Sequence, residues 1–228
     1  MTEIWLILIW MLVTLALGSF SAFLGKRYGV EYIIATMAAL VVIANVLANK
    51  MVTFWDFTVP AAVLVYATSF LLTDVLSEKW GKAEARKAVW AGFYANVVLA
   101  VSVLIAVNWQ SPEFAKETGA MFNTVLGMTP RIVVASMIAY LISQHHDVMA
   151  FHFWKKKTKG RYLWLRNNAS TVVSQLIDSV LFITIAFYGV LPVVPLIIGQ
   201  WVVKVIIAAL DTPFCYFACR VVERTKQK

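Results

Sequence analysis

Apolar stretches of about twenty residues recur along the chain, and they restrict its fold more than any other feature. Hydrophobic residues make up 61% of the sequence and charged residues 14%, whereas soluble domains average roughly 45–50% and 25%. A run of this length can cross a bilayer as a helix. We therefore predict an all-α polytopic membrane protein, a helical bundle of about seven transmembrane helices, with spans near 4–24, 31–49, 59–78, 88–108, 131–152, 170–190 and 195–218.

The basic residues predict an orientation for this bundle. Sixteen of the 20 Lys and Arg residues fall in one set of alternating segments, which ends with Arg224, Lys226 and Lys228, and three fall in the other set. Basic residues accumulate on the cytoplasmic side of membrane proteins. The N-terminus is therefore expected outside and the C-terminus in the cytoplasm, with residues 1–228 forming a single transmembrane domain. The long segment 109–130 is predicted to be an outer loop.

A basic run, KKKTKGR at 155–161, lies at the inner end of one span. Next to a membrane-spanning helix, such a run is typical of an anchor on anionic lipid. We therefore expect a lipid partner and no nucleic acid.

Polar side chains follow one face of the segment 164–187. Ser170, Ser174 and Asp178 recur every four residues, and Gln175 precedes Asp178 by three, so they share a helical stripe. The other positions are apolar: Val172, Val173, Leu176, Ile177, Val180 and Leu181. In lipid the polar stripe is expected to face the bundle interior. Asp178 would then be an ionisable group near the membrane midplane, which indicates a functional site.

Other spans also carry polar groups. Asp178 and Lys204 both lie near the predicted midplane, so they could form a structural buried ion pair or line a cavity. Because several helices contribute amides and carboxylates, a cavity is favoured. The polar residues in question are Asn45, Asn49, Thr73, Asp74, Glu78, Asn96, Gln144, Asp147, Gln200, Lys204 and Asp211.

Motifs of known catalytic and nucleotide-binding sites are missing from the sequence. It contains no GxxxxGK[ST] phosphate loop, no HExxH and no GxSxG. Adjacent His145 and His146 point about 100° apart on a helix, and with His152 they are interpreted as interfacial side chains. Cys215 and Cys219 are interpreted as small core residues. We expect no metal, no cofactor and no enzymatic activity.

Three long motifs carry a resemblance to a known family. The segments LLTDVLSEKWGKAEARKAVW at 71–90, RIVVASMIAYLISQHHDV at 131–148 and WLRNNASTVVSQLIDSVLF at 164–182 together resemble the queuosine precursor transporter family, formerly called "putative vitamin uptake transporters". The resemblance extends over about residues 45–210. It implies a carrier in the inner membrane of a prokaryote that imports 7-deazaguanine precursors of queuosine, above all 7-cyano-7-deazaguanine (preQ0). Since family members have six spans, residues 1–30 would be an additional helix before a 31–218 core.

The resemblance also implies roles for individual residues. A carboxylate such as Asp178 or Asp74 would accept the N1–H and exocyclic amine of the base, and either could couple protons. Lys204 would donate to O6 or neutralise a carboxylate. The expected substrate-binding residues are Asn45, Asp74, Glu78, Gln144, Gln175, Asp178 and Lys204. The expected motif or structural residues are Thr73, Asp147, Arg166, Asn167, Asn168 and Ser174.

Several alternatives remain open at this stage. The chain could be an autonomous secondary carrier, or a substrate-binding subunit that needs an ATPase, as in energy-coupling-factor systems for vitamins or nucleobases. An intramembrane enzyme and a structural scaffold are less favoured. A homodimer is possible, although no strong Gly-xxx-Gly face supports it. An unpaired carboxylate at the site would favour the cationic aminomethyl precursor over the neutral nitrile.

Overall fold

The computed structural model describes residues 2–54, 57–127, 130–189 and 192–223, so Arg224, Lys226 and Lys228 lie outside the described residues. The described part is almost entirely helical. Its elements are α1 (Thr2–Tyr28), α2 (Glu31–Leu47), β1 (Met51–Phe54), β2 (Phe57–Pro60), α3 (Val63–Lys79), α4 (Lys82–Asn108), a 3-10 turn (Glu113–Ala115), α5 (Lys116–Leu126), α6 (Pro130–Lys157), α7 (Leu163–Phe187) and α8 (Val193–Glu223).

Each of the seven predicted spans coincides with one of the longer helices. By length and composition, four segments are able to cross a membrane: 7–28, 82–108, 163–187 and 193–222. Helices α2 and α3 have 17 residues each, and α6 contains the polar run 144–147. The chain is therefore a helical membrane protein, while seven crossings and an outer N-terminus stay predictions.

The structure adds a β-hairpin, which the all-α prediction lacked, and a short helix in the predicted outer loop. The predicted span 59–78 becomes helical only at Val63, because strands β1 and β2 pair antiparallel, with Met51 opposite Pro60 and Phe54 opposite Phe57. Alternating Val, Thr and Phe residues here favour extended backbone. The predicted outer loop 109–130 contains the short helix α5, none of whose side chains is buried.

Helix α7 confirms the predicted direction of its polar stripe. Ser174, Gln175 and Asp178 are at most 3% exposed, whereas Val173 and Val180 on the other face are 45% and 40% exposed. A soluble helix would bury the apolar face instead. The arrangement fits a helix that turns its apolar side to lipid and its polar side to the bundle.

Helix α3 lies at the centre of the bundle. Every side chain from Val63 to Ser77 is buried, and the helix packs against α1, α2, α4, α6 and α8. Surrounded by protein, α3 can carry polar groups such as Thr73 and Asp74, because neighbouring helices supply their hydrogen-bond partners. A second apolar cluster lies between α6 and α7, around Ala139 and Phe182.

Candidate functional site

An ion pair between Asp178 of α7 and Lys204 of α8 forms the centre of the site. The other carboxylate oxygen of Asp178 accepts hydrogen bonds from the hydroxyls of Tyr66, at 2.6 Å, and Ser143, at 3.2 Å. The Lys204 ammonium also lies 4.9 Å from the centre of the Tyr66 ring, a cation–π contact. Since both charges are at least 97% buried, these contacts are needed to offset their desolvation.

A cavity opens beside this ion pair, between α2, α3, α6, α7 and α8. Its volume is about 430 Å³, including the space at its opening, and the centre of a water molecule can occupy about 40 Å³ of it. Alanine side chains and Phe182 form much of its wall. The polar lining residues are Asn45, Tyr66, Ser136, Asp178, Gln200 and Lys204.

Several polar atoms in and beside the cavity lack a hydrogen-bond partner. The side-chain oxygen Oε1 of Gln200 and the side-chain nitrogen Nδ2 of Asn96 are both buried and unpaired. Asn45 connects the two regions, because it lines the cavity and donates to Oδ1 of Asn96 at 2.8 Å. Buried polar groups in proteins are nearly always paired. Of the two unpaired atoms, the Gln200 oxygen belongs to a residue that lines the cavity, so a polar ligand can bind there.

A second polar cluster lies nearer the inner ends predicted for the helices. It contains Asp74 of α3, Asp147 of α6 and Asp211 of α8, each at most 1% exposed. Thr171 lies 3.5 Å from Asp74, and Asn167 donates to Asp211 at 3.2 Å. We call Asp74, Asp147 and Asp211 the carboxyl cluster.

An ionic network joins three helices at the same end of the bundle. The Glu78 carboxylate lies 2.9 Å from both the Arg166 guanidinium and the Lys155 ammonium. Arg166 is 1% exposed and stacks over Phe151, with its guanidinium carbon 5.4 Å from the ring centre. These contacts hold α3, α6 and α7 together at a distance from the cavity.

The predicted binding residues are therefore distributed over separate places. Asn45, Asp178 and Lys204 come together at the cavity, whereas Asp74 belongs to the carboxyl cluster and Glu78 to the ionic network. The remaining two predicted binding residues, Gln144 and Gln175, are fully buried and do not line the cavity.

The two glutamines differ in their partners. Gln144 donates to Ser69 at 2.9 Å and accepts from Thr73 at 3.2 Å, so it connects α6 to α3. Neither side-chain amide atom of Gln175 has a partner among the described residues.

The predicted motif residues lie along the N-terminal half of α7 and beside it. Thr73 lies 3.4 Å from the Asp147 carboxylate, and Asn168 donates to Thr212 at 2.8 Å. The Ser174 hydroxyl lies 2.9 Å from a ring nitrogen of His146. These residues connect α7 to its neighbours and do not line the cavity.

The sequence analysis missed Tyr66 as a cavity residue. It lies in an apolar run, and its neighbours one turn away are Ala62, Val63, Ser69 and Phe70, so the pattern does not separate it from a core aromatic. Its hydroxyl becomes significant only because the fold places it against Asp178.

Comparison with known proteins identifies relatives across most of the chain. A "Probable queuosine precursor transporter" of Bacillus subtilis is 32% identical over 201 residues, which cover 86% of this chain and 87% of that protein. The "Queuosine precursor transporter" of Escherichia coli is 26% identical over 167 residues, covering 72% of this chain and 71% of that protein. A "Probable queuosine precursor transporter" of Haemophilus influenzae is 28% identical over 126 residues, covering 55% and 50%. No solved structure matches the chain.

The match to a family description agrees with these relatives and with the resemblance found in the sequence. Residues 60–218 match the family described as "Putative vitamin uptake transporter". This region includes every polar residue of the cavity except Asn45. The relatives are named as transporters, which supports the prediction that the chain is not an enzyme. The chain is a multi-pass membrane protein that belongs to the "putative vitamin uptake transporter" family, together with relatives named queuosine precursor transporters.

Proposed function

We propose that this chain imports a queuosine precursor across the inner membrane of a bacterium, with 7-cyano-7-deazaguanine as its preferred substrate. In this proposal it acts alone as a secondary carrier. The observation that carries the proposal is the buried cavity lined by the Asp178–Lys204 pair. The names of the relatives support the class of substrate.

We further propose seven crossings with the N-terminus outside. Support comes from the one-sided distribution of Lys and Arg in the sequence. In this orientation the carboxyl cluster and the Glu78 network lie toward the cytoplasm, and the cavity lies nearer the middle of the membrane. A central binding site of this kind suits alternating access.

The chemistry of the cavity suits the edge of a guanine-like base. Such a base presents N1–H and an exocyclic amine as two adjacent donors, which suit a carboxylate. Asp178 has about four lone-pair sites, and Tyr66, Ser143 and Lys204 occupy three of them. We therefore expect the base to displace some of these donors, after which Lys204 can donate to O6. Phe182 and the alanines offer an apolar wall to the flat ring.

The charge of the cavity favours the nitrile precursor. Among the described residues, Asp178 is the one carboxylate that lines the cavity, and Lys204 neutralises it. A cationic aminomethyl group would need a further, unpaired carboxylate. A neutral substrate does not, so the nitrile form is expected to bind more tightly.

The size of the cavity indicates that it must open to admit the substrate. The centres of water molecules can occupy about 40 Å³ of the cavity. Since each water molecule needs about 10–15 Å³ of such space, a few water molecules fit. A bicyclic base is larger than this. We therefore expect its entry to require movement of the helices around Asp178, as alternating access demands.

Uptake of labelled 7-cyano-7-deazaguanine into proteoliposomes that contain this chain alone tests the proposal. Wild-type protein and a Glu117→Gln control, altered on the exposed surface of α5, should show saturable uptake. Asp178→Asn should abolish it. Unlabelled nitrile base should compete more strongly than the aminomethyl base.

Two other outcomes would contradict parts of the proposal. Binding in detergent without uptake in liposomes would point to a subunit that needs an ATPase partner. If the wild-type protein shows no binding and no uptake, this class of substrate is excluded.

A further inference from the structure

The carboxyl cluster holds three acidic groups whose ion-pair partners are not found among the buried cations that the structure describes. Within the described residues, the buried cations pair elsewhere: Lys204 with Asp178, and Arg166 with Glu78. No ion pair among these residues includes Asp74, Asp147 or Asp211. Three unpaired negative charges in a buried site would be very costly, so carboxyl groups in such places take up protons.

The proximity of the three carboxyl groups also favours a proton. The carboxyl groups of Asp74 and Asp147 are electrostatic neighbours, and Asp211 lies beside them. An ionised carboxylate only accepts hydrogen bonds. Two ionised carboxylates that face each other in a buried site repel, so a proton on one of the pair stabilises the arrangement.

An amide side chain independently indicates a missing donor. Asn167 is 1% exposed, and its side-chain nitrogen donates a hydrogen bond to Asp211. Among the described residues, its side-chain oxygen has no hydrogen-bond partner. One oxygen of Asp74 and one of Asp147 are buried and unpaired in the same way. All three unpaired atoms are acceptors. The cluster therefore lacks something that donates.

The groups that face the cluster from other helices add no charge to fill this need. Helix α7 contributes the hydroxyls of Ser170, Ser174 and Thr171, and α8 contributes the thiols of Cys215 and Cys219 beside Asp74. The described residues contain no group of His, Cys, Asp and Glu arranged to hold a metal ion. The ligand that fits is a proton.

We propose that the carboxyl cluster is the coupling-proton site of the carrier, separate from the cavity that binds the base. The proposal rests on the proposed function, since coupling needs a transported substrate. It places the exchangeable proton on Asp74, Asp147 and Asp211. Asp178 then serves the substrate, and its charge stays balanced by Lys204.

A series of contacts leads from the cluster to the backbone of Tyr66, whose side chain contacts Asp178. Thr73 lies 3.4 Å from the Asp147 carboxylate and 3.2 Å from the Gln144 side chain. Gln144 donates to Ser69 at 2.9 Å, and Ser69 donates to the backbone carbonyl of Tyr66 at 2.7 Å. The Tyr66 hydroxyl donates to Asp178 in turn. A proton that leaves the cluster can therefore shift the position of Tyr66 at the cavity, and binding of the base can do the reverse.

Two transport modes separate coupling from binding. Exchange of labelled for unlabelled 7-cyano-7-deazaguanine needs no driving force, whereas accumulation needs a gradient. With one proton per substrate, acidifying the outside of proteoliposomes by one pH unit supports up to about tenfold accumulation. We expect wild-type protein and Glu117→Gln to show both exchange and accumulation.

The variants then distinguish the roles of the acidic residues. Asp147→Asn and Asp211→Asn should retain exchange and lose the accumulation driven by the pH gradient. Asp178→Asn should lose both. If Asp147→Asn and Asp211→Asn accumulate substrate like wild type, the cluster is not the coupling site.

Wild-type protein alone provides a test that does not depend on the folding of any variant. Addition of 7-cyano-7-deazaguanine to weakly buffered protein in detergent should change the pH, because the base alters the proton occupancy of the cluster. If wild-type protein exchanges substrate but shows neither pH-driven accumulation nor this pH change, the proposed proton site is wrong. The proposed transport function would remain supported by the exchange. Accumulation driven by a sodium gradient instead would also overturn it. Absence of exchange in wild type would contradict the proposed function itself.

Discussion

Removal of one charge from the Asp178–Lys204 pair is expected to destabilise the protein more than any surface substitution. Lys204→Met preserves the apolar stem of the side chain and leaves the Asp178 carboxylate with only the hydroxyls of Tyr66 and Ser143. Asp178→Asn leaves a buried ammonium. Breaking a buried ion pair in this way costs about 3–5 kcal/mol. We expect each single variant to lose stability in this range.

The double variant Asp178→Asn/Lys204→Met should be more stable than the two single effects predict. It contains no buried charge at this position, and Asn can still accept a hydrogen bond from Tyr66. The coupling free energy between the two residues is then expected to be about 2–5 kcal/mol. A double-mutant cycle isolates this quantity from other effects of each substitution.

Equilibrium unfolding in mixed micelles, with an increasing fraction of denaturing detergent, measures the free energy of unfolding of the wild type, the two single variants and the double variant. The matched control is the pair of Lys87 and Glu84 on α4, whose atoms lie 2.6 Å apart while the Lys87 side chain is 66% exposed. A double-mutant cycle at this exposed pair should give a coupling free energy of about 0.2–1 kcal/mol. If Asp178 and Lys204 couple no more strongly than this control, then the pair is hydrated and the proposed buried site is wrong.

Four further substitutions test the packing, the cavity and the ionic network. Gly92→Ala places a methyl group against the Tyr140 hydroxyl, so thermal unfolding in detergent should show a loss of about 1–3 kcal/mol. Gln200→Leu removes an unpaired buried oxygen, so the KM for uptake should rise about tenfold while stability holds or improves. Arg166→Met breaks a buried ion pair and should cost about 3 kcal/mol. Lys155→Met, at a partly exposed ion pair of the same carboxylate, should cost under about 1 kcal/mol in the same unfolding assay.

The length of the apolar stretches predicted the helices, and the spacing of the polar side chains predicted which face of a helix is buried. The four-residue spacing of Ser170, Ser174 and Asp178 identified the buried side of α7 because side-chain direction repeats with the helix. Counting residues from the span ends also placed Asp178 and Lys204 at a common depth. The structure pairs these two residues, which is one of the two arrangements that the sequence left open.

The division of the polar residues into two sites could not be predicted in the same way. Spacing along one helix gives a face and a depth, but it does not say which residue of another helix lies opposite. Asp74 and Asp178 are both buried and acidic, yet one contacts Thr171 and Asp147 and the other Lys204. The hairpin before Val63 was missed for a related reason, since its short apolar strands resemble the start of a helix.

The contacts of α7 suggest why two separate sites can drive one motion. Toward α8 the helix is held at several depths, and the contact from the Trp201 ring nitrogen to the Val172 carbonyl, at 3.1 Å, involves neither site. Toward α3 its polar contacts near the two sites are Tyr66 to Asp178 and Thr171 to Asp74. In the proposed mechanism, the base competes for the first of these contacts, and proton loss changes the second. Both events would then act on the interface between α3 and α7, so we propose that substrate and proton jointly control a shift of α7 relative to α3.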